Sequence, residues 1–203
     1  MKIILFRHGE KEANSDTNGD VSIIHLTNNG INQVKKLGHV LAKKFPQLKN
    51  YPVIYSSIYA RSIQSAQIVQ SILNIKEIVQ VPQFGEFIAY NNYKNPKEIR
   101  EAIQLKAVQN PNWISPETHL SLSQNITIFT DKIKEICLKA DNDFVLISTH
   151  GGIIRHTVYS LKPELRPSND FIQQSKIHEA GYTILNYDGN NFSVDKFNIY
   201  DFL

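Results

Sequence analysis

Three short runs of apolar residues, each too brief for a helix, most restrict the fold that this chain can adopt. They occupy residues 3–6, 52–55 and 143–148, and a weaker fourth run occupies residues 77–81. A run whose successive residues are nearly all apolar buries both faces of a strand, which is typical of parallel sheets covered by helices on both sides. The runs therefore predict the inner strands of one mostly parallel sheet.

Segments with apolar residues at helical spacing separate these strands. The first is predicted to begin after Thr27, whose hydroxyl suits an N-cap, and to stop at Pro46. The other predicted helices cover residues 63–73, begin near Pro96, cover residues 121–140 and begin at Ile153. Strands that alternate with helices in this way indicate an α/β fold.

The end of the chain predicts a β-hairpin, because two alternating segments flank the turn sequence at residues 188–191. The fold class is therefore an α/β three-layer sandwich with a mostly parallel central sheet and an antiparallel edge hairpin at the C-terminus. No repeat or linker divides the chain, so we predict a single domain over residues 1–203. Residues 84–117, rich in tyrosine, asparagine and proline, are predicted to form a small cap or substrate-specificity insertion.

Composition excludes several classes of function. The formal net charge is +3, from 22 basic and 19 acidic residues, which is too small to indicate a nucleic-acid partner. Cys137 is the only cysteine, so neither an intrachain disulfide nor a cysteine-based zinc site is possible, and it suits a core position. No stretch has the length of a membrane span and the N-terminus lacks a signal-peptide pattern, so we expect no membrane partner and a cytoplasmic location.

Polar and cationic residues gather where three of the predicted strands end. Ligands of open α/β sheets bind beyond the carboxyl ends of the strands, so these residues should meet at one edge of the sheet. Arginine donors match phosphate oxygens, and the first N–H groups of a helix attract anions, so the meeting point suits a phosphate group. The segments are Arg7-His8-Gly9, Ser56-Ser57 followed by Arg61, and His150-Gly151-Gly152.

These residues resemble the signature of the histidine phosphatase superfamily, which includes the phosphoglycerate mutases. The resemblance spans most of the chain, and its motifs follow one another in family order. The matching stretches are FRHGEKEAN at residues 6–14, LTNNGINQ at 26–33, SSIYARSIQSA at 56–66, FGEF at 84–87 and STHGGIIR at 148–155.

The resemblance implies a role for particular residues. His8 would be the nucleophile that forms a phosphohistidine, and Glu86 would be the general acid, with Phe84 in place of the usual leucine two residues earlier. Glu77 and Glu98 are the alternative acids in this region. The phosphate group would be bound by Arg7, Asn14, Arg61, His150 and Gly151, with His150 also counted as catalytic.

The chemistry places two requirements on His8. It must stay unprotonated to attack phosphorus, which the cationic side chains of Arg7 and Arg61 would favour. One ring nitrogen must also donate to a fixed acceptor, for which a backbone carbonyl near Gly9 could serve. Lys11 occupies a position where relatives often carry serine or threonine, and it could bind an anion in their place.

The expected activity is hydrolysis of a phosphomonoester, on a phosphorylated metabolite or a phosphoprotein, with no metal and no cofactor. Two alternatives remain: a phosphoglycerate mutase-like phosphotransferase, and a non-catalytic protein that recognises phosphate groups. The region after Glu86 does not resemble the insertion of the mutases, which favours hydrolysis. The sequence decides neither the substrate nor the oligomeric state.

Overall fold

The computed structural model describes residues 1–13, 20–86, 97–116, 119–167 and 176–203. The strands are β1 (Lys2–Arg7), β2 (Val53–Ser56), β3 (Glu77–Gln80), β4 (Phe144–Thr149), β5 (Tyr182–Tyr187) and β6 (Phe192–Ile199). The helices are α1 (Asn28–Lys44), α2 (Ala60–Leu73), α3 (Lys97–Gln109), α4 (Leu122–Lys139) and α5 (Gly151–Leu161). Within these described ranges, no helix combines the length and the apolar character that crossing a membrane requires.

One six-stranded sheet has the order β3-β2-β4-β1-β5-β6. Strands β1 to β4 run parallel, with Leu5 of β1 opposite Ile147 of β4. The last two strands are antiparallel: β5 pairs with β1, and β6 pairs with β5 at the sheet edge. All six residues of the central strand β4 are buried. This is the mostly parallel sheet with a C-terminal edge hairpin that the sequence predicts.

Helices cover both faces of the sheet and form two separate apolar cores. Ile4 and Phe6 of β1 point to the face covered by α1 and α2, where they join Leu37 and Val69. Ile3 and Leu5 point to the opposite face, which is covered by α4 and α5. Since successive side chains of a strand alternate between faces, a wholly apolar strand can supply both cores. The three-layer sandwich is thereby confirmed.

The helix starts follow from local side-chain chemistry. The Thr27 hydroxyl accepts from the N–H of Gly30, 2.9 Å away, as the N-cap prediction requires. Helix α4 begins with a capping box in which Ser121 and Gln124 satisfy each other's backbone N–H groups. Helix α5 begins at Gly151, two residues before the predicted start at Ile153. Apolar spacing could not detect this first turn, because glycine carries no side chain.

The predicted insertion at residues 84–117 is described only in part, since residues 87–96 and 117–118 lie outside the described ranges. Its helix α3 begins at Lys97, directly after the predicted start near Pro96. Ala107 of α3 packs with Leu122 of α4 in a small cluster that also includes Trp113. The role of this segment as a cap stays a prediction.

Candidate active site

His8 lies immediately after β1 and is held by the main chains on both sides. Its N–H donates to the carbonyl of Thr149 at 3.1 Å, and its carbonyl accepts from the N–H of Ala180 at 3.1 Å. The ring Nδ1 lies 2.7 Å from the Gly9 carbonyl, and the residue is buried. Because a carbonyl only accepts, Nδ1 carries the proton and Nε2 presents a lone pair.

Arg61, in the first turn of α2, contacts both histidines of the site. Its Nε donates to His8 Nε2 at 3.1 Å, and Nη2 lies 3.3 Å from His150 Nδ1. Its Nη1 donates to the Val21 carbonyl at 2.6 Å, and only 2% of the residue is exposed. The sequence alone could not distinguish this arginine from a solvated helix residue, and the structure buries it between the two rings.

His150 follows β4 and is the N-cap residue of α5. Its ring centroid lies 5.2 Å from that of His8, so the two rings pack edge to face. Nε2 lies 2.8 Å from the Ser57 hydroxyl. Since Nδ1 accepts from Arg61, Nε2 carries the proton and donates to Ser57. Two strand ends and one helix start thus fix this ring.

Arg7, the last residue of β1, faces the same edge of the sheet. Its Nη2 forms an ion pair of 2.8 Å with Glu179, and its Nη1 donates to the carbonyl of Ile177. A methyl group on Gly151 would lie 3.0 Å from the Arg7 Cδ, so the guanidinium passes directly over the start of α5. The predicted phosphate ligands Arg7 and Gly151 are therefore neighbours.

The surroundings keep both rings neutral. Burial, followed by the charges of Arg7 and Arg61, lowers the pKa of His8 well below its usual value, although the Gly9 carbonyl acts in the opposite direction. Burial, followed by the charge of Arg61, likewise lowers the pKa of His150. At neutral pH, His8 therefore presents an unprotonated Nε2 beside two guanidinium groups.

Glu86 lies at the edge of this cluster, with its Oε2 4.0 Å from His150 Nδ1. The Thr149 hydroxyl donates to the carbonyl of Phe84 at 2.7 Å, which ties the chain before Glu86 to the end of β4. The rival Glu77 is at the amino end of β3, so it lies at the opposite edge of the sheet. The side chain of Glu98 is outside the described part of the structure.

The described part of the segment after Gly9 connects the site with the start of α1. Glu10 accepts hydrogen bonds from Thr27 Oγ1 at 2.7 Å and from Asn29 Nδ2 at 2.9 Å, and these bonds lower the pKa of its carboxyl. Its carboxylate therefore binds the start of α1. The charge of Lys11 contributes to lowering the pKa of His8, and Asn14 lies outside the described residues.

Three residues of the site had no assigned role from the sequence. Ser57 lies in the quoted Ser-Ser motif, and Tyr59 lies two residues before Arg61, so both had a positional signal. The Tyr59 ring packs against the His150 ring at 4.9 Å and against the Arg61 guanidinium at 4.8 Å. Glu179 had no such signal, because only the pairing of β5 with β1 brings it to Arg7.

The comparison with known families agrees with this geometry. The sequence profile of the histidine phosphatase superfamily (branch 1) matches residues 3–200. The chain belongs to this superfamily. The match includes every residue placed around His8 above.

Solved structures of the superfamily share the fold at low sequence identity. A phosphoserine phosphatase from Entamoeba histolytica, a mutant in complex with phosphoserine, is 20% identical over 100% of this chain and 98% of that chain, with a TM-score of 0.72. A mycobacterial glucosyl-3-phosphoglycerate phosphatase with inorganic phosphate is 17% identical over 98% and 97%, also at 0.72. YhfR of Bacillus stearothermophilus is 21% identical over 96% and 95%, at 0.70. No curated protein matches this sequence.

Proposed function

We propose that this protein hydrolyses phosphomonoesters through a covalent phosphohistidine formed on His8. The observation that carries the proposal is the contact of Arg61 with both His8 and His150 inside one buried cluster. A neutral imidazole with a fixed proton on Nδ1 is an effective nucleophile, and the cationic side chains beside it suit a phosphate dianion. Arg7, Arg61, His150 and the start of α5 at Gly151 would bind that dianion, with Asn14 as a further ligand.

In the first step, His8 Nε2 attacks phosphorus as the bond to the ester oxygen breaks. Arg61 Nε, which donates to that nitrogen in the structure, then turns to a phosphoryl oxygen. Glu86 donates its proton to the leaving oxygen, so the alcohol departs neutral. The Gly9 carbonyl stabilises the phosphorylated ring by accepting a hydrogen bond from its Nδ1–H group.

In the second step, a water molecule attacks phosphorus from the side that the alcohol has left. Glu86 takes a proton from this water, the bond between phosphorus and Nε2 breaks, and inorganic phosphate leaves. Charge develops on the equatorial oxygens in both steps, where each donor of Arg7 and Arg61 can supply about 3 kcal/mol of stabilisation. Glu86 suits the role of acid better than Glu179, because its carboxylate lies 4.0 Å from the His150 ring whereas Glu179 forms an ion pair with Arg7.

The substrate is a phosphorylated metabolite or a phosphoprotein, and the structural neighbours favour the former. Two of them are named for small phosphorylated molecules, phosphoserine and glucosyl-3-phosphoglycerate. These proteins are only 20% and 17% identical to this chain, which is too little to infer a shared substrate. We therefore propose phosphorylated metabolites as a class and not a particular compound. Their description as phosphatases also favours hydrolysis over transfer to a second hydroxyl.

The test is phosphate release from a broad panel of phosphorylated metabolites and phosphopeptides by the wild type, His8→Ala and His39→Ala. His39 is exposed on α1 and serves as the matched control. We expect turnover and, after a rapid quench, an acid-labile phosphate on both the wild type and His39→Ala, and neither on His8→Ala.

Each other result selects a different function. Isomerised product without phosphate release would favour the mutase-like phosphotransferase. Tight binding of phosphorylated compounds without any turnover would favour a recognition protein. Unchanged hydrolysis by His8→Ala would exclude His8 as the nucleophile.

A further inference from the structure

A cavity lies on the α5 side of the sheet, and none of the residues of the cluster around His8 lines it. It encloses about 440 Å³ between the end of α3, the start of α4 and the second half of α5. Val108, Leu122 and Ile126 form its apolar wall, and serine and threonine hydroxyls lie on the α4 side. A space of this size and composition is typical of sites for small organic ligands.

The described wall of this cavity contains two basic residues, and only the arginine among them is charged at neutral pH. Arg166 and His156 line it, and none of the described residues that form its wall is acidic. Arg166 Nη2 donates to the Val108 carbonyl at 2.7 Å, which orients its guanidinium at the cavity edge. Within the described residues, no carboxylate pairs with Arg166.

A second arginine contacts His156 behind the cavity wall. Arg155 is only 7% exposed, and its Nη2 lies 3.3 Å from His156 Nε2. Burial, then the charges of Arg155 and Arg166, lowers the pKa of His156 to about 3, so this ring is neutral at pH 7. Arg166, which lines the cavity, therefore supplies the positive charge at its wall, and a carboxylate or similar anion would complement it.

We propose that this cavity is a binding site for a small organic anion with an apolar body. The anionic group would pair with Arg166, which offers the planar donors that a carboxylate accepts, and the body would lie against Leu122 and Ile126. The site is independent of the proposed hydrolysis, since none of its residues contacts His8 or Glu86 in the proposed mechanism.

The only tryptophan of the chain reports on this site. Trp113 packs with Leu122, which lines the cavity, so occupancy should change its emission. The probes are cyclohexanecarboxylate and the matched neutral cyclohexylmethanol, titrated into the full chain without any phosphate ester. We expect a saturable change in tryptophan emission with the carboxylate. The dissociation constant for the alcohol should be at least about tenfold larger, because only the anion forms charge-assisted hydrogen bonds.

Three variants decide the outcome. Arg166→Gln should remove the preference for the carboxylate, and Lys43→Gln, on the exposed end of α1, should keep it. Ser160→Phe at the cavity edge should weaken both probes by filling the space, and it decides the question if Arg166→Gln fails to fold. Equal affinities for the two probes, an unchanged carboxylate affinity in folded Arg166→Gln or Ser160→Phe, or no saturable change with the wild type would each overturn the proposal.

Discussion

Replacing Gly152 by alanine should disable the proposed general acid while leaving the fold intact. A methyl group at this position would meet Glu86 Oε1 well inside van der Waals distance and would lie 3.3 Å from its Cδ. The carboxylate must therefore retreat by about 1 Å to restore ordinary contact. Because it ends a rotatable side chain, Glu86 moves and α5 does not.

The size of the effect follows from the displacement. Misplacing a reacting group by about 1 Å can slow a reaction about 10²-fold, which corresponds to about 2.7 kcal/mol in the activation barrier. Stability should not fall, since alanine within a helix is favoured over glycine by about 0.5–1 kcal/mol. Gly152→Ala is therefore expected to lose activity while its melting temperature stays the same or rises.

The choice of substrate makes this prediction specific to acid catalysis. In the proposed mechanism Glu86 protonates the leaving oxygen, so an alkyl ester such as glycerol phosphate needs it, whereas p-nitrophenyl phosphate has a leaving group that departs without a proton. Because Glu86 also serves the later water attack, which both esters share, the contrast is measured in kcat/KM, which reports the transfer to His8. We expect the full loss of kcat/KM on the alkyl ester and a much smaller loss on the aryl ester. Glu86→Gln should give the same contrast, and the double variant should lose no more than either single variant.

The assay is steady-state kinetics on both esters for these four proteins, with thermal unfolding alongside. An equal loss on the two esters would show that Gly152→Ala damages phosphate binding and not the acid. If the activity loss of the double variant equalled the product of the losses of the two single variants, Gly152 and Glu86 would act independently. Either result would refute the role deduced for Glu86.

Three further outcomes can be measured. Arg61→Lys keeps the charge but not the fork that reaches both histidines, so kcat should fall about 10²- to 10³-fold with folding retained, as circular dichroism would check. Thr27→Ala removes the N-cap bond of α1 and should lower the free energy of urea unfolding by about 1 kcal/mol with unchanged kcat. The pKa of His156 is about 3 in the folded protein, so the unfolded state takes up its proton first as pH falls below 6.5. Between pH 7 and pH 5 the wild type should therefore lose about 2 kcal/mol more unfolding free energy than His156→Gln, and an equal loss would contradict a buried neutral ring.

Local patterns were sufficient for the elements that form the sheet and its covering helices. The apolar run at residues 3–6 predicted β1 because a strand buried on both faces is mostly apolar. Thr27 predicted the start of α1 because a hydroxyl there satisfies an exposed N–H group. Such signals arise within a few residues of one another, so they can be recognised before the fold is known.

Parts of the candidate site followed from the same reasoning. His8 and His150 stood at strand ends, and the rule that parallel strands end at one edge predicted that they would meet. The acceptor for the His8 ring was foreseen only as a carbonyl near Gly9, and the structure identifies the carbonyl of Gly9 itself. The hydrogen bonds of Glu10 were not foreseen, because its partners Thr27 and Asn29 are distant from it in the sequence.

By itself, the sequence determined the alternation of strands and helices, the edge of the sheet where the chemistry gathers, and the family resemblance. Only the tertiary structure decided that Arg61 lies between two rings, that Glu179 holds Arg7, and that Arg166 faces a cavity. The physical reason is that propensity and apolar spacing act over a few neighbouring residues. A hydrogen bond or an ion pair depends instead on positions that distant segments reach only when the sheet and its helices have packed.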